Sequence, residues 1–211
     1  MPKVNINKAI LHLKKDKNLK VLIKDFDKPD FNAKGVYFEA EANYFKVLTR
    51  YIIHQQISGP VARVIESRFN SLFKADVSPK KFLKLKATSL KKSGISPQKI
   101  NYLNDLAIKF IDGTVNPSNF DKMTDEEIRE HLISVKGIGR WTSDMFLMFT
   151  LNRLDVLPTG DLGIQKGFQK VFKMKSLPDP KRMEKLAKEW KPYRSIASMY
   201  LWKIADKAKK K

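Results

Sequence analysis

The 211-residue chain contains no cysteine, and this absence removes several kinds of chemistry. Disulfides, a cysteine-ligated zinc site, an iron–sulfur cluster and a thiol nucleophile are excluded. Histidine is scarce, and His12, His54 and His131 are too scattered to form a metal-ligand pattern. There is no long apolar run and no signal peptide at the start, so we expect no membrane association. We expect a cytoplasmic protein that acts at the nucleoid in a bacterium, or a nuclear protein in a eukaryote.

Acidic residues are few relative to basic ones. The chain has 22 aspartates and glutamates against 42 lysines and arginines, a formal net charge of +20. An excess of this size indicates a polyanionic partner, either nucleic acid or an anionic membrane surface. Nucleic acid is favoured because no long apolar run offers a membrane anchor.

Helix starts are the clearest local signals in the chain. Thr124 and Glu127 have the spacing of a capping box. Apolar residues at helical spacing follow the starts, and no repeat of solenoid period is present. The pattern predicts an all-α fold. Serine with proline one or two residues later marks three further helix starts, at Ser58, Ser78 and Ser96.

The most informative segment is the glycine-punctuated turn between two helical stretches, from Val135 to Gly139. Gly137 and Gly139 permit a left-handed backbone and close approach of another chain. Amides of the turn and of the next helix start can point at a phosphate, helped by the helix dipole. An ordinary helix–turn–helix corner is the alternative, but flanking basic residues favour a DNA grip independent of base sequence. The expected DNA-binding residues are Lys136, Gly137, Ile138, Gly139, Arg140 and Thr142.

Residues 132–146, L-I-S-V-K-G-I-G-R-W-T-S-D-M-F, resemble the helix–hairpin–helix of the HhH-GPD superfamily of DNA glycosylases. The resemblance is strongest to the 3-methyladenine DNA glycosylase II (AlkA-type) branch and covers about residues 43–205. Four other stretches agree with that branch in order. They are residues 52–58 with I-L-G-Q-Q-L-S (His54 replacing glycine), 90–99 with L-x-x-x-G-L-S-x-x-K, 155–164 with the segment of the catalytic aspartate, and 190–197 with W-x-P-x-R-S-x-A.

The resemblance implies an all-α fold of two helical subdomains with the active-site cleft between them. One subdomain is expected to comprise residues 1–49 and 156–211. The other, of the six-helix type, is expected to comprise residues 50–155, with the hairpin at about 127–151. The least periodic stretch, residues 27–43, is expected to be a long loop with a short extended piece.

The resemblance also implies an activity: a damaged base is flipped out of double-stranded DNA and its N-glycosidic bond is hydrolysed. Asp161 matches the catalytic aspartate. A helix N-cap is its alternative role, and the two roles are compatible. A carboxylate at a helix start is stabilised in its charged form. It is therefore suited to stabilising positive charge at C1′ of the sugar more than to accepting a proton.

Trp141 stands where bifunctional members of the superfamily carry a lysine that attacks C1′. The resemblance therefore implies a monofunctional enzyme that uses water and has no lyase activity. Trp141, Trp202, Met145 and Tyr193 are the residues expected to line the base pocket. Core packing is the alternative role for the tryptophans. Indoles stack favourably on a cationic alkylated purine, by about 1–2 kcal/mol.

Gln56 matches the residue that fills the gap left by the flipped base, and Gln55 lies beside it. The alternative for this segment is a polar helix end capped by Ser58. No cofactor is required. A structural Na⁺ or K⁺ is expected at the backbone carbonyls of the hairpin, those of Ile133, Val135 and Ile138.

Three functions follow from these residues. A glycosylase for alkylated purines, of the 3-methyladenine and 7-methylguanine type, accounts for the hairpin, Asp161, the tryptophans and the charge. A glycosylase for an oxidised or deaminated base accounts for all except Trp141. A non-catalytic DNA-binding protein leaves Asp161 unexplained. We expect the first, acting as a monomer on double-stranded DNA that contains damaged bases.

Overall fold

The computed structural model describes residues 5–29, 43–73 and 76–207. Within these residues all regular structure is helical, which confirms the all-α prediction. Short 3-10 turns are formed at Pro117–Asn119 and Lys188–Trp190. The expected loop at 27–43 lies mostly outside the described residues. The α-helices are α1 Ile6–Leu13, α2 Lys17–Asp25, α3 Tyr44–His54, α4 Gly59–Asn70, α5 Pro79–Phe82, α6 Ala87–Lys92, α7 Pro97–Ile111, α8 Asp125–Ile133, α9 Arg140–Phe149, α10 Leu162–Val171, α11 Pro180–Leu186 and α12 Arg194–Lys207.

The predicted helix starts are confirmed, although the serines differ in what they do. Thr124 and Glu127 form both bonds of the capping box at the start of α8. Ser96 caps α7 by accepting a hydrogen bond from a backbone amide. Ser58 and Ser78 occupy N-cap positions without a side-chain hydrogen bond. Proline in the first turn pre-sets the backbone there and removes an amide that would need a partner.

The described chain divides into two compact units. The first unit contains residues 5–29 and 144–207, and the second contains 43–73 and 76–143. The first residues of α9 therefore belong to the second unit and the rest of that helix to the first. The bounds implied by the resemblance, at residues 49/50 and 155/156, lie later in the chain, and the first of them falls within α3.

The first unit is built on the packing of α10 against α12. Gly167 allows this approach, since a Cβ there would lie 2.7 Å from the backbone oxygen of Leu201. The fully buried ring of Trp190 stacks on Phe168 with centroids 5.1 Å apart. Its indole nitrogen donates to Oδ2 of Asp16 at 2.8 Å. The apolar core thus holds α10 against α12.

The second unit has a core of aromatic rings from α3, α4, α5 and α7. Phe45 packs edge-on against Phe110, with centroids 5.5 Å apart, and against Phe82 at 6.2 Å. Phe69 joins the same cluster from α4. This core packs the start of α3 against the end of α7. In the part of the chain that the structure describes, no helix has the length and apolar character needed to cross a membrane.

Candidate active site

Asp161 is the N-cap of α10, as the sequence predicted. Its Oδ1 accepts a hydrogen bond from the backbone amide of Ile164 at 2.8 Å. The same oxygen accepts a second bond from the indole nitrogen of Trp202, also at 2.8 Å. Two donors on one oxygen fix the direction of the carboxylate and match its negative charge. The arrangement therefore presents an oriented, partly exposed carboxylate at a helix start.

Trp202 is itself held from two sides. Its ring stacks on Phe149, with centroids 5.9 Å apart and an interplanar angle of 29°. On the other side lies Gly163, where a Cβ would be 2.7 Å from Cδ1 of Trp202 and 2.9 Å from Oδ1 of Asp161. Glycine is thus required for the contact between the two side chains. The sequence signal was a glycine in the first turn of a helix, a costly position without a packing reason.

The chain that leads to Asp161 is clamped by the start of α12. Arg194 forms a bidentate pair with Asp155, from Nε to Oδ1 at 2.7 Å and from Nη2 to Oδ2 at 2.9 Å. Ser195 Oγ donates to the carbonyl of Arg153 at 2.7 Å and accepts from the amide of Val156 at 2.9 Å. The R-S pair of the W-x-P-x-R-S-x-A stretch therefore positions the segment before the carboxylate.

The hairpin consists of α8, the turn from Val135 to Gly139, and the start of α9. Gly137 has φ +82°, and a Cβ there would lie 2.2 Å from the Tyr102 ring. Gly139 is outside the left-handed region and has nothing within 4 Å of an added Cβ. Of the two glycines that permit a left-handed backbone, Gly137 thus adopts one and Gly139 does not. Only the first glycine is required by the shape of the turn.

The backbone amides of the turn are divided between internal and outward roles. Lys136 donates its amide to Oδ2 of Asp105 at 2.8 Å, and Ile138 donates to the carbonyl of Val135 at 3.0 Å. Among the described residues, none accepts a hydrogen bond from the amides of Gly137 and Gly139. These two amides are the ones able to bind an external acceptor.

Side chains of the hairpin differ in their exposure. Ile138 and Thr142 are each 4% exposed, so their side chains anchor the turn rather than face a phosphate. Lys136 and Arg140 are exposed. Arg140 pairs with Glu126 at 3.5 Å, a weak surface ion pair that a phosphate can replace. Positive charge thus lies on the outer face of the turn.

A second loop touches the hairpin turn. Gln55 donates from Nε2 to the carbonyl of Gly137 at 2.8 Å. Gln56, the next residue, is exposed and has φ +57°. Lys99 donates to the carbonyls of Ile53 at 2.6 Å and Gln55 at 2.7 Å. Lys99 therefore caps the end of α3, whereas Ser58, the alternative cap, is the N-cap of α4.

A sequence profile of the HhH-GPD superfamily, described as base excision DNA repair proteins, matches residues 49–192. The chain belongs to this superfamily. The resemblance found in the five motifs is thereby confirmed.

Several curated HhH-GPD relatives have similar sequences. DNA-3-methyladenine glycosylase 1 of Schizosaccharomyces pombe is 31% identical over 78% of this chain and 73% of its own length. DNA-3-methyladenine glycosylase of Saccharomyces cerevisiae is 32% identical over 78% of this chain and 67% of its own. YfjP of Bacillus subtilis is 30% identical over 82% of this chain, which spans 62% of that longer protein.

Solved structures of HhH-GPD proteins share the fold. The 3-methyladenine DNA glycosylase of Schizosaccharomyces pombe, in complex with abasic DNA, matches with a TM-score of 0.78 and 30% identity. The match covers 94% of this chain and 97% of that one. A DNA-3-methyladenine glycosidase from Bacillus halodurans matches with a TM-score of 0.81 and 29% identity, over 99% and 93% of the two chains.

The two tryptophans expected in the pocket of this HhH-GPD protein have different surroundings. Trp202 is partly buried and bonded to Asp161. Trp141 is 42% exposed, an unusual state for a large aromatic side chain. Complete core packing, the alternative role, describes neither residue. Their contact with a base stays a prediction.

The other two expected pocket residues lie deeper. Met145 is 4% exposed within α9. Tyr193 is partly buried, and its ring packs edge-on against His12 with centroids 5.3 Å apart. The ring nitrogen of His12 bonds the backbone carbonyl of Glu189 at 3.0 Å. Tyr193 thus has a clear packing role in the first unit, and its part in the pocket stays a prediction.

The hairpin carbonyls offer oxygen ligands of the kind that hard cations prefer. The carbonyl of Val135 already accepts a hydrogen bond from the amide of Ile138. The second lone pair of this carbonyl oxygen is available to a cation. The carbonyl of Ser134, between Ile133 and Val135, accepts a hydrogen bond from the ammonium of Lys109. The described residues contain no cluster of three or more histidine or carboxylate side chains able to hold a metal.

Proposed function

We propose that the protein is a monofunctional DNA glycosylase that removes alkylated purines from double-stranded DNA and leaves an abasic site. The observation that carries the proposal is the Asp161 carboxylate, oriented by Ile164 and Trp202 at the start of α10. Membership of a base excision repair superfamily supports the reaction class. Relatives named 3-methyladenine glycosylases support alkylated purines as the substrate.

The reaction breaks one bond and forms another at the sugar C1′. A flipped nucleotide brings its C1′ to Asp161. As the N-glycosidic bond breaks, the electron pair leaves with the base and positive charge develops on the sugar. The fixed carboxylate stabilises this charge without reorganising. Water then forms a bond to C1′ and releases a proton to the solvent, while Asp161 helps to orient the attacking water.

Substrate choice follows from the charge on the leaving group. A purine alkylated at N3 or N7 is cationic, so its glycosidic bond is weaker than that of a normal base. The exposed indole of Trp141 can stack on such a ring, with a gain of about 1–2 kcal/mol over a neutral base. The modest stacking preference and the weaker glycosidic bond together favour excision of alkylated purines over normal bases.

The hairpin supplies affinity for DNA. Phosphate oxygens accept from the amides of Gly137 and Gly139, with charge from Lys136 and Arg140. These contacts read no base, so binding is independent of sequence. A Na⁺ or K⁺ bound at the carbonyls of the turn would strengthen the binding of a DNA phosphate. Gln56 fills the gap in the duplex, and one protein molecule acts on one lesion.

The decisive experiment compares two aspartates that cap helices in the same unit. Asp161→Asn should lower base release from methylated DNA by at least about 100-fold. Binding to abasic DNA should change little. Asp179, the N-cap of α11, accepts from the amide of Arg182 at 3.0 Å. Asp179→Asn has a similar capping cost and should keep full activity. Near-full excision by Asp161→Asn would contradict the proposal.

A second experiment tests the use of water. Trp141 provides no amine, so borohydride should trap no covalent protein–DNA adduct during excision. A stable adduct in good yield would show a Schiff base and overturn the monofunctional assignment. Substrates with oxidised, deaminated and methylated bases should be compared side by side. Retained binding with no release from any of them would favour a non-catalytic DNA-binding protein.

A further inference from the structure

The stretch from Gly94 to Lys99 takes no part in the chemistry above, yet it has a defined geometry. Gly94 has φ +96° and packs on Ile65, which lies 3.1 Å from the position of an added Cβ. Ser96 then caps α7 by accepting from the amide of Lys99 at 3.3 Å. This turn places Lys99 in the first turn of α7, beside the end of α3.

The ammonium of Lys99 holds the last carbonyls of α3. It donates to Ile53 at 2.6 Å and to Gln55 at 2.7 Å. Carbonyls at a helix end have no partner within the helix, and a cation there also meets the negative end of the dipole. Lys99 is partly buried, and burial lowers its pKa. A surface lysine usually keeps its ammonium in water, whereas the ammonium of Lys99 binds the two carbonyls at the end of α3.

The residue that follows this clamp is in a costly conformation. Gln56 has φ +57°, a left-handed region that residues with a Cβ rarely occupy. Such backbone persists where the surroundings enforce it, and it is concentrated at functional sites. The surroundings here are Lys99 on one side and the bond from Gln55 to Gly137 on the other. Together they present the exposed Gln56 side chain from a rigid loop.

We propose that Lys99 is a positioning residue for base flipping. Its ammonium fixes the loop so that Gln56 can enter the duplex as the target base leaves. Gln55 joins the same loop to the carbonyl of Gly137 in the hairpin turn. Binding of a phosphate at the turn and insertion of Gln56 are therefore coupled. All these residues lie in one compact unit. This role rests on the proposed function, because it requires a lesion that is flipped.

The test separates positioning from simple helix capping by varying the cost of flipping. Lys99→Met removes the charge and keeps the length of the side chain. Excision of a single 7-methylguanine from a fully paired duplex should fall by about 10-fold to 100-fold. With an abasic site opposite the lesion, where the base is already unpaired, excision should stay within about threefold of the unmodified protein. Lys92→Met, on the exposed end of α6, is the control and should change neither rate.

Gln55→Ala gives an independent test that leaves the cap of α3 intact. This substitution removes the hydrogen bond from Gln55 to the carbonyl of Gly137. The protein should still fold, because the Gln55 side chain is partly exposed. It should show the same selective loss on the paired duplex. A loss of equal size on both duplexes, for Lys99→Met or for Gln55→Ala, would overturn the positioning role. Rescue by Lys99→Arg, which keeps the charge and the donors, would support it.

A fluorescence measurement tests the role without any chemistry. A duplex with 2-aminopurine beside a stable abasic analogue should brighten when the unmodified protein unstacks the neighbour. Lys99→Met should lose at least about half of this signal at saturating protein. Adding Lys99→Met to Gln56→Ala should cost nothing more, whereas independent effects would overturn the proposal. Failure of the unmodified protein to release 7-methylguanine, with this pattern intact, would instead reject the proposed function alone.

Discussion

The indole nitrogen of Trp202 donates a hydrogen bond of 2.8 Å to Oδ1 of Asp161. The edge of the ring thus meets the carboxylate, while its face stacks on Phe149. A pocket-lining role for Trp202 concerns only the face of the ring. The structure adds an orienting role through the edge, on an oxygen that the amide of Ile164 also holds.

Trp202→Phe should separate these two roles. Phenylalanine keeps an aromatic face beside Phe149 and loses the donor to Asp161. A hydrogen bond to a charged group contributes about 1.5–3 kcal/mol, so the single-turnover excision rate should fall by about 10-fold to 100-fold. Affinity for abasic DNA should change little, as a binding titration would show.

The control for this change is its combination with Asp161→Asn. If Trp202 acts through the carboxylate, Trp202→Phe should have little further effect once that charge is gone. Independent, multiplicative losses would mean that the ring contributes mainly through contact with the base.

Gly163→Ala tests the same contact from the other side. The new Cβ would lie 2.7 Å from Cδ1 of Trp202 and 2.9 Å from Oδ1 of Asp161, so the two side chains must shift. Alanine is a better helix former than glycine, which limits the effect on folding. Excision should fall by about 10-fold or more, because misplacement of about 1 Å can cost up to 100-fold.

Gly160→Ala is the matched control. This glycine directly precedes Asp161, and an added Cβ there meets nothing within 4 Å. Excision rates measured at saturating protein should be near normal for Gly160→Ala. An equal loss in both variants would indicate a general sensitivity of the segment rather than the predicted clash.

Signals that lie within one turn of helix were readable from the sequence. Asp161 and Thr124 are N-caps whose partners are three residues away, and a spacing rule of that range is enough to find them. The all-α fold followed from apolar periodicity for the same reason. The family resemblance supplied the order of the motifs and the role of Asp161.

Contacts between distant segments could not be read in this way. Lys99 reaches a carbonyl 46 residues earlier, and Trp202 reaches a carboxylate 41 residues earlier. No local rule pairs such residues, since the pairing depends on how helices pack. The two hairpin glycines illustrate the same limit. Both are glycine, yet an added Cβ would clash with Tyr102 at Gly137 and would meet nothing within 4 Å at Gly139.

Gly137→Ala should destabilise the protein, whereas Gly139→Ala should not. At residue 137 the backbone is left-handed and Tyr102 occupies the space of a Cβ, so strain and overpacking add. The loss in free energy of unfolding should be at least about 1–2 kcal/mol. Denaturant titration of both variants measures it. Equal stability of the two would mean that the turn relaxes without cost.

The capping box of α8 should make the stability of the hairpin depend on pH. Hydrogen bonds from the backbone amide and hydroxyl of Thr124 lower the pKa of Glu127 below its usual 4.5. The folded state thus binds this proton less readily than the unfolded state does. The stabilisation is fully present above the usual pKa and is lost as pH falls through the lowered one.

Glu127→Gln keeps an acceptor in the capping box and removes the charge. At neutral pH the melting temperature of Glu127→Gln should therefore lie below that of the unmodified protein. The difference should shrink as pH falls below 4.5 and vanish once Glu127 is protonated in the folded state. Glu130→Gln removes a charge from the same helix outside the capping box, and it controls for the change in net charge. A Glu127→Gln difference that stayed constant down to low pH would place the effect in helix propensity rather than in the charged cap.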